Sequence, residues 1–165
     1  MVDSSSLLSI RPARKGEAAL VLQFIRELAE YEKLLDECVA TEAMIDAALF
    51  GEVPRAFCDI AEWDGAPVGF ALWYLTFSTF SGKSGLYLED LFVRPEHRGK
   101  GIGKALMIHL ARKCAKNDCD HFQWAVLDWN TPSIDFYKSL GAEMLDQWTG
   151  VRVSGAALAR LAERP

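Results

Sequence analysis

The chain has 165 residues, of which 50% are hydrophobic and 25% are charged, as in an ordinary soluble globular protein. This length predicts a single domain over residues 1–165 with a substantial buried core. The formal net charge of −5 disfavours nucleic acid as the main partner and permits cationic ligands. No apolar run approaches the roughly 20 residues that a membrane-spanning helix requires, so no membrane partner is expected.

Residues 1–6 contain an acid and no basic residue, so no signal peptide is predicted. The four cysteines form no C-x-x-C motif and no regular ladder, and we expect them to be reduced thiols. The three histidines do not combine with them into a metal site. These features predict a cytoplasmic protein without a bound metal, and a catalytic pair of a cysteine and a histidine is a weaker alternative. The residues concerned are Cys38, Cys58, Cys114, Cys119, His97, His109 and His121.

The hydrophobic periodicity predicts a mixed order of strands and amphipathic helices. The dipeptide Asp64-Gly65 is a strong signal for a hairpin between two strands. Thr131 is expected to cap a helix that starts at Pro132 and stops at Gly141. No repeat or low-complexity linker interrupts the chain, so an α/β fold around one sheet is predicted. The predicted strands cover residues 7–11, 56–63, 68–77, 86–93, 121–127, 142–148 and 150–153, and the predicted helices cover residues 14–33, 41–51, 101–116, 131–141 and 155–163.

The most informative stretch is the predicted strand over residues 86–93 and the segment that follows it. Three alternating glycines, Gly99, Gly101 and Gly103, open directly onto an apolar-periodic helix. A strand, a glycine loop and a helix N-terminus in this order can surround a phosphate with backbone N–H groups. The stretch therefore predicts a site for a phosphate-bearing ligand.

The glycine spacing disfavours the two common nucleotide-binding motifs. A P-loop requires G-x-x-x-x-G-K-[S/T], whereas Arg98 stands at its first glycine position here and Ala105 replaces the hydroxyl residue that would hold magnesium. The dinucleotide motif G-x-G-x-x-G fails because the third glycine comes one residue early. What remains is the pattern Arg98-x-x-Gly101-x-Gly103 directly after a strand.

This pattern resembles the coenzyme-A-binding motif of the GNAT acetyltransferase superfamily. Other segments in the same order resemble the diamine acetyltransferase family, and its thialysine N-ε-acetyltransferase branch looks closest. The resemblance implies a mixed, mostly antiparallel sheet flanked by helices, acetyl-CoA as co-substrate, and transfer of an acetyl group to a primary amine of a small cationic substrate. It is carried by residues 27–34, 87–90, 98–103, 125–130 and 136–142, and residues 77–79 and 125–130 point to the thialysine branch.

The resemblance also assigns the residues that would contact coenzyme A. The backbone of Leu91, Phe92 and Val93 would pair with the pantetheine arm like an added strand. Backbone donors of residues 98–104, at the positive end of a helix, suit a pyrophosphate. Two lysines of this loop could add charge or could equally be solvated. The predicted loop contacts are Arg98, Gly99, Lys100, Gly101, Ile102, Gly103 and Lys104, and Asn130 and Ser133 follow from the resemblance alone.

Acetyl transfer needs a neutral amine, donors for the oxyanion and a proton for the leaving thiolate. A lysine-like ammonium has a pKa of about 10.4, so a base is needed, and Glu89 in its otherwise apolar strand is the candidate, acting through water. In an alternating strand it shares a side with Tyr87 and Leu91, and Asp90 points to the opposite face. The resemblance places Tyr137 near the coenzyme sulfur as the general acid, and a phenol with a reference pKa of about 10 can donate to a thiolate.

The acceptor is less well defined by the sequence. Tyr31 and Glu32 match positions that line the acceptor pocket in relatives, and an acid there suits a cation. Polyamine-specific members carry an acid where this chain has Ser78, which weakens the case for spermidine, spermine or a diamine without removing it. A non-catalytic acyl-CoA-binding sensor is a further alternative. Relatives pair through C-terminal strands, so a homodimer that uses residues 150–153 is expected.

Overall fold

The computed structural model describes residues 7–164. Residues 1–6, for which no signal peptide is predicted, lie outside this range. The strands are β1 Leu8–Pro12, β2 Phe57–Trp63, β3 Ala66–Ser78, β4 Lys83–Val93 and β5 His121–Trp124. The α-helices are α1 Ala18–Tyr31, α2 Glu42–Phe50, α3 Ile102–Lys116, α4 Thr131–Ser139 and α5 Gly155–Ala162, and short 3₁₀ turns cover Leu35–Glu37 and Pro95–His97.

The chain separates into two compact units, Met1–Ala125 and Val126–Pro165. The first contains the whole sheet with α1, α2 and α3, and the second contains α4 and α5. A single domain over the full length stays a prediction. None of the helices within residues 7–164 is long and apolar enough to cross a membrane.

The sheet of the first unit has the order β1-β2-β3-β4-β5. The first three pairs of neighbours are antiparallel and β5 is parallel to β4, which confirms the predicted mixed, mostly antiparallel sheet. The turn between β2 and β3 is the predicted two-residue hairpin, because Asp64 and Gly65 both have positive φ, 52° and 77°.

Helices pack on both faces of the sheet. The α1 face carries Cys58, Ile60 and Phe70, which form a core cluster with side chains of α1 and α2. The α3 face carries the alternate residues Asp59 and Trp73. Both faces are therefore covered, as expected for strands packed between two layers of helices. Buried residues of α3 complete the core, namely Ile102, Leu106, Met107, Leu110 and Cys114.

Asp59 is the charged residue buried deepest beneath α3, with 1% of its surface exposed. One of its oxygens accepts the indole N–H of Trp73 at 2.8 Å. The other lies 3.2 Å from Nε2 of His109 and 3.4 Å from Nζ of Lys113. A buried carboxylate needs such partners, and this one fixes α3 against the centre of the sheet.

The second unit differs from the sequence prediction. Residues 142–148 and 150–153 were expected to be strands, and the structure gives them no strand. Strand β5 also ends at Trp124 instead of continuing to residue 127. A strand needs a neighbour that takes its backbone hydrogen bonds, and the described residues of this unit include no other strand to supply them.

Helix α4 starts one residue before the predicted position. Its first residue is Thr131, and Asn130 is the cap, because the side-chain oxygen of Asn130 accepts the N–H of Ser133 at 3.4 Å. Asn and Thr are both good caps, so adjacent candidates are hard to separate by sequence. Gly141, with a φ of 88°, follows the helix end as predicted.

Candidate active site

The glycine loop lies between β4 and α3. Gly99 and Gly101 have φ values of 76° and 80°, in the left-handed region that favours glycine. A Cβ atom on either residue would have no neighbour within 4 Å among the described atoms. The two glycines are thus required by the backbone conformation, and the space in front of them is open.

The N-terminus of α3 presents backbone donors to this open space. Ala105 donates to the carbonyl of Gly101 at 2.9 Å, which begins the internal bonding of the helix. The N–H groups of the preceding turn have no partner inside any helix, and no described side chain caps α3. These donors sit at the positive end of the helix dipole and could hold a pyrophosphate. The predicted contact of this loop with coenzyme A stays a prediction.

The two lysines of the loop differ in their surroundings. Lys104 is exposed on the first turn of α3. The Nζ atom of Lys100 lies 5.1 Å from the centre of the Trp63 ring, at the end of β2. This cation–π contact stabilises the Lys100 ammonium over the indole ring of Trp63.

Arg98 connects the loop to β4 and α1. Its Nε donates to the carbonyl of Val93 at 2.8 Å. Its guanidinium lies 4.7 Å from the centre of the Tyr31 ring and 5.5 Å from that of Phe92. A groove of about 430 Å³ beside Arg98 is lined by these two rings together with Arg94 and three glutamates. The predicted phosphate loop and the predicted acceptor residue Tyr31 are therefore in contact.

An ion pair fixes the end of α1 beside β4. Arg94 donates from Nε and Nη2 to the two oxygens of Glu27 at 2.9 and 2.8 Å. The hydrogen bond from Arg94 lowers the pKa of Glu27 below its usual range. The two-pronged geometry is the strong form of this pair. It holds the last turn of α1, and hence Tyr31 and Glu32, close to the strand.

The second half of β4 has a backbone edge that β5 does not cover. The pairing with β5 stops at Leu88, opposite Trp124. Further along, the backbone N–H of Arg94 donates to the carbonyl of Val68 in β3. Because backbone groups alternate in direction along a strand, those of Leu91 and Val93 point away from β3. Phe92 instead faces β3. Two of the three residues predicted to pair with pantetheine thus have backbone groups on this edge.

A β-bulge interrupts β4 at Glu89. Asp90 pairs with Leu72 and Leu88 pairs with Trp73, so Glu89 is an extra residue without a cross-strand partner. Paired residues share a face, which places Asp90 on the α1 face and Leu88 on the α3 face. The charge of Glu89 adds to the raised pKa of Tyr74 and of Tyr87, which both lie on the α1 face. The expectation that Glu89 and Asp90 point to opposite faces stays a prediction.

The same bulge puts Tyr87 and Leu91 on opposite faces of the sheet. Leu91 pairs with Ala71 on the α3 face, and Tyr87 pairs with Tyr74 on the α1 face. The expectation that Glu89 shares a side with both residues is therefore wrong. The prediction assumed that side chains alternate strictly between the two faces of the sheet. One inserted residue reverses the face of every residue that follows it.

The carboxylates of Glu89 and Glu32 act on the buried carboxyl group of Asp90. Burial, followed by the charges of Glu89 and Glu32, raises the pKa of Asp90 to about 7. Burial also raises the pKa of Glu32. Glu89 itself is exposed. Asp90 was not among the predicted functional residues. Its position next to Glu89 was a signal, but strict alternation predicted that its side chain points to the opposite face.

In the second unit, α4 carries the other predicted residues. Asn130 is 4% exposed, and its bond to the N–H of Ser133 joins the two predicted coenzyme contacts in one helix cap. The ring of Tyr137 lies 5.2 Å from that of Phe136 with an interplanar angle of 52°. The backbone carbonyl of Tyr137 accepts the N–H of Leu140 at 3.0 Å, so the end of the helix fixes the backbone of Tyr137.

No group of three or more potential ligands able to hold a metal ion occurs within residues 7–164. The four cysteines are free. Cys58 is buried, and burial together with nearby acids raises its pKa well above the usual range. Burial likewise raises the pKa of Cys114 to about 11. Neither of these two thiols is ionised at neutral pH, so neither has the character of a reactive cysteine.

Comparison with known proteins agrees with this architecture. The family model described as Acetyltransferase (GNAT) family matches residues 22–142. Thialysine N-epsilon-acetyltransferase of Sus scrofa is 42% identical over 93% of this chain and 96% of its own length. Spermidine/spermine N(1)-acetyltransferase-like protein 1 of Homo sapiens is 35% identical over 84% of this chain and 21% of its own length.

Among solved structures, an integron cassette protein from the mobile metagenome of V. cholerae has a TM-score of 0.81 and 28% identity, over 95% of this chain and 98% of that one. The mixed sheet with helices on both faces is thus a fold shared with that structure. The chain belongs to the GNAT acetyltransferase family, and within that family it is an N-acetyltransferase.

Proposed function

We propose that the protein transfers the acetyl group of acetyl-CoA to a primary amine of a small cationic substrate, thialysine-like or lysine-like. The observation that carries this proposal is the bulge in β4, which sets Glu89 beside the buried Asp90, whose pKa is also raised by the charge of Glu32 at the end of α1. Arg98 of the glycine loop stacks on Tyr31, the neighbour of Glu32 in sequence. The proposed cation site and the proposed phosphate site would therefore be adjacent, as a transfer between two such ligands requires.

Acetyl-CoA, when bound, supplies an acetyl thioester as the electrophile. The N–H groups at the start of α3, behind Gly99 and Gly101, would hold its pyrophosphate. The edge of β4 at Leu91 and at the N–H of Val93, whose carbonyl already accepts a hydrogen bond from Arg98, would take the amide groups of its pantetheine arm as an added strand. The other residues proposed to contact it are Phe92, Arg98, Lys100, Ile102, Gly103, Lys104, Asn130 and Ser133.

The carboxylates would prepare the amine. The acceptor arrives as an ammonium and must lose a proton before it can attack, and Glu89, exposed in the bulge, would take that proton through a water molecule. Asp90 and Glu32 would hold the cation by charge. A backbone N–H of the open edge, near Val93, would stabilise the negative charge that develops on the acetyl oxygen.

Tyr137 would return a proton to the leaving thiolate. A phenol is protonated at neutral pH and can donate to a thiolate whose conjugate acid has a pKa of about 8.5. Tyr137→Phe keeps the ring beside Phe136 and removes the donor. We expect kcat to fall at least tenfold in this variant with the melting temperature unchanged. Unchanged turnover by a folded variant would remove Tyr137 as the acid.

The choice of acceptor rests on the curated relative that covers nearly the whole chain, a thialysine N-epsilon-acetyltransferase. A polyamine is the second candidate, since three carboxylates also suit a polycation and a relative of spermidine/spermine type matches most of this chain. Release of coenzyme A from acetyl-CoA should be measured with thialysine, lysine, putrescine and spermidine. We expect the highest kcat/KM for thialysine or lysine. Activity confined to polyamines would overturn that choice, and no turnover with any amine would overturn the proposed reaction.

We also propose a homodimer and a cytoplasmic location. The second unit exposes large apolar side chains, among them Trp148 at 80% and Val151 at 93%, and these support an interface in that region. Light scattering coupled to size exclusion should give twice the 18.4 kDa of one chain, and a single-chain mass would overturn the dimer. The free cysteines support a reducing compartment, and cell fractionation would test it.

A further inference from the structure

The groove beside Arg98 has a volume of about 430 Å³ and lies between the end of α1 and the segment that follows β4. Two of the five charged residues that line it are paired with each other. Arg94 binds both oxygens of Glu27 through Nε and Nη2, and its Nη1 donates to the carbonyl of Pro67 at 3.0 Å. These two charges therefore compensate each other and leave none for a ligand.

Arg98 is the other cation of the groove, and its side chain is held in place. Its Nε donates to the carbonyl of Val93 at 2.8 Å. Its guanidinium lies over the rings of Tyr31 and Phe92. Within residues 7–164, the two terminal nitrogens of Arg98 form no hydrogen bond and no ion pair. A guanidinium fixed in this way offers a planar pair of donors that matches a carboxylate.

Two glutamates give the groove negative charge that no arginine or lysine compensates. Glu30 forms no ion pair and no side-chain hydrogen bond within the part of the chain that the structure describes. Glu96 has one close basic neighbour, since its Oε1 lies 3.8 Å from Nδ1 of His97. Carboxylates at such positions attract an ammonium group. The groove thus combines a donor pair for an anion with two acids for a cation.

The groove lies two residues along β4 from the proposed site of the reacting amine. Phe92, which lines it, and Asp90 both lie on the α1 face of the strand, and two residues of a strand span about 6.5 Å. The five bonds from the α-carbon of lysine to its terminal nitrogen, each about 1.5 Å long, span roughly 6 Å when extended. A lysine whose terminal amine lies at Asp90 therefore brings its α-carbon to the groove.

We propose that the groove binds the amino-acid headgroup of a lysine-like acceptor, with the α-carboxylate on Arg98 and the α-ammonium on Glu30 and Glu96. This inference rests on the proposed function and makes Arg98 a residue that determines specificity. The backbone of Arg98 belongs to the glycine loop, whereas its side chain lines the groove. A diamine of the same length has no carboxylate and leaves the guanidinium unpaired, so the groove favours an amino acid over a diamine.

The wild-type enzyme tests this with three acceptors that have the same terminal amine. Lysine has both groups of the headgroup, 6-aminohexanoate lacks the α-ammonium, and cadaverine lacks the carboxylate. At saturating acetyl-CoA we expect kcat/KM to be at least about tenfold lower for each analogue than for lysine. Equal values for lysine and cadaverine would overturn the inference. No turnover with any amine would instead overturn the proposed reaction.

Two variants assign the two halves of the headgroup. Arg98→Gln should lower the ratio of kcat/KM for lysine to that for cadaverine about tenfold, because only lysine has the carboxylate. Glu30→Gln should lower the ratio of lysine to 6-aminohexanoate roughly three- to tenfold, because only lysine has the α-ammonium. Arg112→Gln removes a charge from an exposed position of α3 and is the control. It should keep both ratios.

The ratios carry the result because an effect of Arg98→Gln on acetyl-CoA is common to all three acceptors. A wild-type ratio of lysine to cadaverine in Arg98→Gln, together with a higher KM for acetyl-CoA, would show that this side chain serves the coenzyme and would overturn the inference. Melting curves identify any loss of folding. If Arg98→Gln does not fold, Arg98→Lys carries the same expectation, since lysine keeps the charge and loses the two-pronged geometry.

Discussion

The two halves of β4 share one strand and differ in almost everything else. The first half, up to Leu88, is paired on both sides, with β3 and with β5. It is packed so tightly that a Cβ on Gly85 would clash with the ring of His121. The second half begins with the bulged Glu89, pairs only with β3, and carries the carboxylates and the open edge. The acidic residues of this strand thus begin at Glu89, the residue where continuous pairing with β3 is interrupted.

This difference shows how a buried sheet can hold a reaction site. Continuous pairing satisfies backbone groups and leaves no place for a ligand. A bulge releases one residue from the ladder, and here that residue is an acid next to a second, buried acid. The unpaired edge beyond it keeps backbone donors and acceptors for a bound molecule.

Glu89→Gln tests the second half most strongly. The substitution keeps size and hydrogen bonding and removes the base, so we expect kcat/KM for the amine to fall about 100-fold near pH 7, with the melting temperature within a few degrees of wild type. Glu52→Gln removes one negative charge from an exposed position of the same unit and serves as the control. A loss that is equal for both variants would show that total charge, and not the bulged position, matters.

Asp90→Asn tests the burial of charge beside the bulge. The pKa of Asp90 in the folded protein, about 7, lies above its usual value of 3.8, so the folded state binds the proton more tightly than the unfolded chain. The stability contributed by this residue is therefore present at low pH and is lost as pH rises from about 4 to about 7. Asparagine carries no charge at any pH, so the Asp90→Asn variant does not lose this stability as the pH rises.

The variant should consequently match wild type near pH 4 and be more stable above pH 7, by on the order of 2 kcal/mol. Urea unfolding of both proteins at pH 4, 6 and 8 gives the difference directly. A difference that does not grow with pH would show that Asp90 is ionised without cost in the folded state. The catalytic rate of the same variant shows whether this acid also serves the amine.

Gly101→Ala tests the neighbouring glycine loop, where backbone conformation is the main requirement. Alanine at a φ of 80° costs roughly 1–2 kcal/mol and distorts the first turn of α3. We expect the KM for acetyl-CoA to rise about tenfold, since one to two kcal/mol of lost binding corresponds to that factor. Gly82→Ala, at a φ of 69° in the turn between β3 and β4 and with equally open surroundings, is the matched control. It should lose stability and leave the KM unchanged.

Lys100→Ala should have the smallest effect of the series. Its ammonium lies on Trp63, so we expect a loss of about 0.5–1 kcal/mol in unfolding free energy and a change of less than threefold in the KM for acetyl-CoA. Lys104→Ala on the first turn of α3 provides the comparison. A tenfold rise in KM for Lys100→Ala would show instead that this lysine leaves the indole and binds phosphate.

Much of the fold follows from local sequence signals. The hairpin at Asp64-Gly65 and the helix stop at Gly141 depend on positive φ values that few residues adopt easily. The loop at Gly99 and Gly101 is of the same kind, and the spacing of its glycines is enough to disfavour two nucleotide-binding motifs. Sequence reasoning was wrong for residues 142–148 and 150–153, because a strand depends on a partner that local pattern does not reveal.

The sequence by itself determined the sheet-and-helix order of the first unit, the conformation of the glycine loop and the resemblance that led to the family, because each depends on residues close together in the chain. Only the tertiary structure decided which side chains of β4 meet. The bulge at Glu89 is a mismatch between two strands, and neither strand contains it alone. That mismatch leaves Glu89 unpaired beside Asp90 and puts Tyr87 and Leu91 on opposite faces. The ion pair of Arg94 with Glu27 then holds α1, and with it Glu32, against the same place, across 67 residues of sequence.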